Sequence, residues 1–290
     1  MPKGCSVIIA TLGRRNKKLS ACIESLFWQN FENLEIICIV PKASHLEGID
    51  NRVRVIETND INGCRNKNVG IKASSNDIVA FTDDDCLAHK DWIATAMNDF
   101  EENDAGAVCG PVFLLEETPS GTETLEEKRI FHRTGVFVPP WEIGTGACLV
   151  VKKSVLFDIG LFDERLGPGS RLHSAEDMDL IYRIFDSGSS IHRDPNAIVY
   201  HDKPESYPQM VRRFYTYRLG LGAFFFKIRR NASARWFFFD RFLVQEFRNL
   251  VRSLRRGRVK QIPKDISSLA GAFLGFLAYS ILPKKRPKTL

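Results

Sequence analysis

Residues 78–85 read Ile-Val-Ala-Phe-Thr-Asp-Asp-Asp, an apolar run that passes straight into three acids. Short, β-branched and uncharged, the first five suit a strand buried on both faces. Three adjacent carboxylates at the end of such a strand need a physical reason. In parallel sheets ligands gather beyond the carboxyl ends of the strands. The triplet falls at such an end if the flanking segments supply the rest of the sheet.

They do. Residues 6–10, 34–40, 53–56 and 107–112 are further apolar runs, and 19–29, 66–74 and 91–102 read as helices. Alternation of this kind predicts an α/β fold with a mostly parallel sheet flanked by helices. Residues 113–145 are irregular and polar, with Pro119, Gly121, Pro139 and Pro140. A loop of that length is usually functional or mobile. Beyond it, 146–151 and 197–200 read as strands and 176–185 as a helix. The chain is expected to divide into a domain over 1–205 and a helical region over 206–290.

The 290 residues are 44% hydrophobic and 26% charged, the composition of a globular chain with a sizeable core. Seven scattered cysteines without a C-x-x-C pair argue against a disulfide framework or a zinc site and for reduced thiols in the cytoplasm. No signal segment is expected at the start.

The net charge of +6 is unevenly placed. Residues 203–290 hold twenty lysines and arginines against four acids, a balance of +16, which leaves −10 for residues 1–202. In the second half Trp236, Phe239, Leu243, Phe247, Leu250 and Leu254 recur at helical spacing. Arg235, Arg241, Arg248, Arg252 and Arg255 lie mostly off that stripe. This is a basic amphipathic helix, and it points to an anionic membrane surface. Aromatics confined to one helical face do not suit base stacking, so no nucleic-acid partner is expected. Residues 267–282 are nearly all apolar or small; as a helix they would reach about 24 Å, short of the ~30 Å hydrocarbon core. An interfacial or re-entrant position fits better than a span.

Two carboxylates about 4 Å apart repel by roughly 4 kcal/mol at an effective dielectric near 20. Residues two apart on a strand face the same way, so Asp83 and Asp85 can converge, and a divalent cation removes that repulsion. Oxygen ligands suit Mg²⁺ or Mn²⁺. The plain alternative is a solvated turn, where aspartate is common. His201, ending the run Val199-Tyr200-His201, is either structural or a third ligand through neutral imidazole. Ser174-Ala175-Glu176-Asp177 reads as a capping box before a helix.

The order of "SVIIATLGRR", "NVGIKASSNDIVAFTDDDCLAHKDW", "GTGACLVVKKSV", "GLFDERLGPGSRLHSAEDMDLIYRI" and "IVYH" resembles glycosyltransferase family 2, with the GT-A (Rossmann-like) fold, over residues 4–205. The resemblance implies inverting transfer of a sugar from a nucleotide-sugar, UDP-linked by family habit, to an acceptor hydroxyl. It implies a metal site at Asp83 and Asp85 (the family's D-x-D), completed by His201. It makes Asp177 the general base and Glu176 its partner at the acceptor, a role compatible with a cap because the helix dipole keeps a first-turn carboxylate ionised. It places Thr11, Arg14, Lys67, Asn68, Asp83 and Asp84 at the donor. Trp141 and Gly146, at the end of the long loop, fall to the acceptor. With the basic tail it further suggests a lipid-linked saccharide acceptor, in surface polysaccharide assembly on the inner face of the cell membrane.

One departure stands out. The family's second strand usually ends in nucleoside-binding aspartates, and here Val40 runs into Pro41-Lys42-Ala43; Asp60 is the candidate to fill that place. Gln209-Met210-Val211-Arg212-Arg213-Phe214 partly resembles the Q-x-x-R-W motif of processive synthases, with Arg212 or Arg213 as diphosphate clamps, or else is a basic membrane-facing helix. Two rivals remain at this point: a sugar nucleotidyltransferase, and a catalytically inactive membrane- or nucleic-acid-binding protein.

Overall fold

The uncharged run Cys5–Ala10 forms β1, an interior strand of the main sheet. After it come α1 (Asn16–Phe27), β2 (Leu34–Val40), β3 (Val53–Glu57), α2 (Gly63–Ala73) and β4 (Ile78–Thr82). The four strands are parallel in the order β3-β2-β1-β4. Helices cover both faces of β1 and β4, which is why neither strand alternates: Val7, Ile8, Ile9, Val79, Ala80 and Phe81 are all wholly buried. α2 starts three residues before the expected position, because the Asn62 side chain accepts from the Arg65 amide (2.9 Å) and caps it. Gly70 brings α2 close to β1, since a Cβ there would lie 2.6 Å from Ile8 Cγ2.

The chain continues through β5 (Cys86–Ala88), α3 (Trp92–Asn103), β6 (Ala107–Cys109), β7 (Val112–Leu114), β8 (Arg129–Phe131), α4 (Pro140–Ile143), β9 (Leu149–Lys152), α5 (Lys153–Ile159), α6 (Glu176–Asp186), β10 (Ile191–Arg193) and β11 (Val199–His201). The main sheet extends as β9-β6-β10-β8, with β9 and β8 antiparallel to their neighbours. A second sheet has the order β5-β11-β7. The sheet is thus mixed but mostly parallel, as expected. On one face it packs against Leu19, Ile23, Leu26, Trp92, Ile93 and Phe100 of α1 and α3. On the other it meets Ile71, Leu156, Leu180, Ile181 and Ile184 of α2, α5 and α6. All seven cysteines are free and buried.

Two expected strands are corrected. The run 107–112 is two strands in different sheets, because Pro111 has no N–H for a ladder. Beside it, Gly110 lies so near the Ala197 carbonyl that a Cβ would clash at 1.7 Å. The run 146–151 becomes extended only at Leu149; Gly146–Cys148 is a single tight turn, with the Thr145 hydroxyl accepting from the Ala147 amide (3.1 Å). The polar stretch 113–145 also contains β8 and α4.

The structure describes residues 4–115, 127–202 and 206–282; Pro119, Gly121 and the basic cluster at 284–286 lie outside them. It is a computed structural model in two units, Met1–Glu164 with Asp177–Pro204, and Arg165–Glu176 with Glu205–Leu290. The second is helical: α7 (Tyr207–Lys227), α8 (Ala232–Trp236), a π-helical stretch Phe237–Leu243, α9 (Val244–Arg255) and α10 (Ile262–Ile281). Gln209 closes a capping box at Ser206, its side chain accepting from the Ser206 amide (2.8 Å). The amphipathic helix expected from Trp236 to Leu254 widens at 237–243, where Phe238 stacks on Phe242 and Phe276. α7 and α10 touch backbone to backbone: a Cβ on Gly275 would sit 1.8 Å from the Leu219 carbonyl oxygen. Among the described residues no helix is long and apolar enough to cross a membrane.

Candidate active site

β4 stops at Thr82, and the aspartates that follow occupy a tight turn closed by the Cys86 amide donating to the Asp83 carbonyl (3.1 Å). This corrects the strand argument: the turn, not the pleat, makes Asp83 and Asp85 converge. β5 leaves the turn and pairs with β11 so that Cys86 lies opposite His201. Pairing therefore delivers the imidazole to the triplet, with His201 Nε2 3.1 Å from Asp85 Oδ1. Ligand atoms of Asp83, Asp85, Cys86 and His201 all lie within 4.8 Å of one another. Burial pushes the Cys86 thiol far above its usual range, and sulfur is a soft ligand ill-matched to hard divalent ions. The usable set is two carboxylates and one imidazole, a fit for a hard divalent ion such as Mg²⁺ or Mn²⁺.

The middle aspartate faces inward. Asp84 is 5% exposed and accepts from the Thr11 hydroxyl (2.5 Å), which ties the end of β1 to the end of β4. Burial pushes the Asp84 carboxyl up, although the Thr11 hydrogen bond and the Arg15 charge pull the other way. Arg15 donates through one guanidinium nitrogen to Asp84 and through the other to Asp85. The family resemblance points to Arg14; both Arg14 and Arg15 are exposed, but it is Arg15 that reaches the aspartates. Two adjacent arginines gave no signal for choosing between them; α1, which opens at Asn16, sets which one points back.

Lys67 on α2 is 7% exposed, its Nζ 3.9 Å from Asp83 Oδ1 and above the Phe162 ring. Asn68 is spent differently: its amide donates to the Phe162 carbonyl (3.0 Å) and accepts from the Phe162 amide (2.9 Å). Phe162 in turn packs edge-on against Phe81 of β4. Asn68 therefore braces the floor of the site. Asp60 is held by the Arg65 guanidinium (2.8 Å) and the Asn62 amide (2.9 Å), in the network that starts α2.

β9 runs antiparallel to β4 with Leu149 opposite Phe81, so the Gly146–Cys148 turn comes alongside the end of β4. There the Gly146 amide donates to Asp177 Oδ2 (3.0 Å), while Asp177 Oδ1 accepts from the Met178 amide (2.8 Å). Asp177 is thereby held near the carboxyl end of β4, which carries the aspartate triplet. Trp141 lies in α4, 38% exposed. The capping box at Ser174 is not formed. α6 begins at Glu176, one residue too late, and the Ser174 hydroxyl donates instead to the Thr216 carbonyl on α7 (2.9 Å). Ala175, directly before the acidic pair, has φ of 70°. That left-handed conformation costs a non-glycine residue about 1–2 kcal/mol, a strain that functional sites commonly carry.

Known proteins resemble this chain in fold and in sequence. A mannosyltransferase from Pyrobaculum calidifontis, solved with GDP-Man and Mn²⁺, superposes with a TM-score of 0.62 over 97% of this chain and 87% of its own. At 14% identity the likeness is one of fold, and it identifies the mixed sheet as GT-A. A pre-mycofactocin glycosyltransferase of Mycobacterium tuberculosis is 28% identical over 148 residues, 47% of this chain but 29% of the mycobacterial protein. A glucosyl-dolichyl phosphate glucuronosyltransferase of Haloferax volcanii is 26% identical over 227 residues, 68% of each chain. The profile of Glycosyl transferase family 2 matches residues 6–157, the stretch that runs from β1 through the aspartate turn into α5. More than half of the sequence carries that match, and the chain belongs to glycosyl transferase family 2.

Proposed function

We propose that this protein transfers a sugar from a nucleoside-diphosphate sugar to a hydroxyl of its acceptor, with inversion at the anomeric carbon. The observation that carries the reading is the placement of two acidic devices near the carboxyl end of β4: the Asp83–Asp85–His201 cluster and the Gly146-held carboxylate of Asp177.

Asp83, Asp85 and His201 would hold a divalent cation, Mg²⁺ or Mn²⁺. When bound, it offsets the charge that gathers on the departing diphosphate. Arg15 and the buried Asp84 fix the shape of the turn, and Thr11, Arg14 and Lys67 face the donor; Asn68 supports them from beneath. Asp177 accepts the proton of the acceptor hydroxyl, Oδ2 being aimed by the Gly146 amide. The acceptor oxygen then bonds to the anomeric carbon opposite the nucleotide, so no covalent enzyme intermediate is needed. Glu176, next in the chain, orients the acceptor together with Trp141 and Gly146. A lipid-linked acceptor is supported by the haloarchaeal relative, whose name specifies a dolichyl phosphate substrate. UDP and GDP are the nucleotides to try first, one from family habit and one from the Pyrobaculum complex.

The test is release of nucleoside diphosphate from UDP- and GDP-sugars with Mn²⁺ present. Asp177→Asn should fold normally and lose about 10²- to 10⁴-fold in rate, the usual worth of a general base. Near-wild-type turnover by a folded Asp177→Asn protein would remove Asp177 from the mechanism.

A further inference from the structure

A helix at a protein surface normally turns its apolar stripe inward and its polar face to water. Two helices of the second unit do the reverse. On α10 the buried positions are Asp265, Ser268, Gly271, Ala272, Gly275 and Tyr279, whereas Ile266, Phe273, Leu274, Leu277 and Ile281 are 46–84% exposed. Positions 266, 273, 277 and 281 share one helical face, a row roughly 22 Å long. On α9 Glu246 and Ser253 are buried, with Glu246 accepting from Arg218 (2.9 Å), while Phe247 and Leu254 face outward, 60% and 57% exposed. The outward Phe239 ring lies 6.0 Å from Phe276 of α10, so the apolar surface continues onto the π-helical stretch.

Cations lie beside the α9 and Trp236 part of this surface. Phe247 and Val251 share an open groove with Arg248, Arg252, Arg255 and Arg256. Arg241 lies over the half-exposed Trp236 ring at 5.4 Å. Of the acids in residues 206–282, Glu246 and Asp265 are buried, which leaves Asp240 at the surface.

We infer that the second unit seats on an anionic bilayer. α10 lies in the plane of the membrane with its outward row among the acyl chains, and the α9 arginines engage lipid phosphates. The chemistry selects this occupant. An outward apolar row on α10 together with an arginine-lined groove on α9 matches the headgroup–acyl boundary, and planar guanidinium groups bind phosphate bidentately. A second copy of the chain would bring two arginine-rich surfaces together, which like charges oppose. The inference stands apart from the transfer chemistry and can fail without it.

Sedimentation of the full chain with vesicles tests it, using phosphatidylcholine alone and phosphatidylcholine mixed with phosphatidylglycerol. Wild type should pellet with the mixed vesicles and weaken steeply as salt rises. Each arginine near an anionic surface is worth about fivefold in partitioning, so Arg252→Gln with Arg255→Gln should weaken binding about 25-fold. Phe273→Ser with Leu277→Ser removes side chains that already face water, so folding should survive, as thermal melting will show, while vesicle binding falls even at low salt. The inference is overturned if wild type ignores the mixed vesicles at low salt, or if the serine pair binds them as wild type does. It is overturned equally if gel filtration shows a dimer that the serine pair dissociates with no loss of vesicle binding.

Discussion

Replacing Gly146 with alanine perturbs the site by one methyl group at a known place. The added Cβ would lie 2.8 Å from Asp177 Cβ and 3.5 Å from Asp177 Oδ2. Carbon atoms in good contact sit about 3.5–4.0 Å apart, so the two segments must part by roughly 0.7 Å or more. The clash is with the root of the aspartate side chain, which cannot swing away as a flexible tip would. Parting also stretches the Gly146 N–H bond to Oδ2, now 3.0 Å. A hydrogen bond to a charged acceptor contributes about 1.5–3 kcal/mol, and misplacing a reacting group by about 1 Å can cost 100-fold in rate. Gly146→Ala should therefore lower kcat about 10- to 100-fold, with donor KM unchanged and a modest fall in Tm. Steady-state kinetics on the best donor, beside a thermal melt, reads all three. A folded Gly146→Ala protein with wild-type kcat would show that the 146 amide does not aim the base, and the proposed role of Asp177 would fall with it.

Two further outcomes concern stability. Gly275→Ala places a methyl 1.8 Å from the Leu219 carbonyl oxygen, so α7 and α10 must separate; overpacking of this kind costs about 1–3 kcal/mol, and an unchanged Tm would contradict the close helix contact. Glu35 is partly buried, which would raise its carboxyl, but hydrogen bonds from Ser6, Ser75 and Arg54 bring it below the usual value. A lowered folded-state value stabilises above the unfolded one and is lost as pH falls through it. Glu35→Gln should thus cost about 1 kcal/mol in urea unfolding at neutral pH and nothing once the carboxyl is protonated in acid; an equal cost at both would refute the linkage.

Residues 78–85 carried most of what could be read in advance. A doubly covered parallel strand must be apolar throughout, so its sudden end in Asp83 located the sheet edge without any coordinates. Asp83 and Asp85 were legible as candidates because an acidic triplet follows a buried strand; His201 stood open between structure and ligand, and its place at the metal came from the resemblance to the family. Their route together was not legible. The Asp83–Cys86 turn and the β5–β11 pairing depend on three-residue strands, too short to leave a periodic trace. Arg15 was missed because neighbouring arginines look alike until helix α1 fixes their directions. Ser174 misled because the cap pattern was present but Ala175 turns left-handed and starts the helix one residue later. The basic stripe at 236–254 was found, yet periodicity alone does not tell an inward apolar face from an outward one. That decision lay with Glu246, Ser253 and the small residues of α10, whose burial reverses the usual order.

On the proposed reading Asp83, Asp85 and His201 would join a divalent cation to a nucleoside diphosphate. The most direct measurement is the shift in Tm of wild type and Asp85→Asn with UDP and with GDP, each in Mn²⁺ and in EDTA, since a ligand bound only to the native state raises its stability. The account predicts that one of the two nucleotides raises the Tm of wild type in Mn²⁺, that EDTA abolishes the shift, and that Asp85→Asn shows none. A nucleotide shift that survives both EDTA and Asp85→Asn would contradict it.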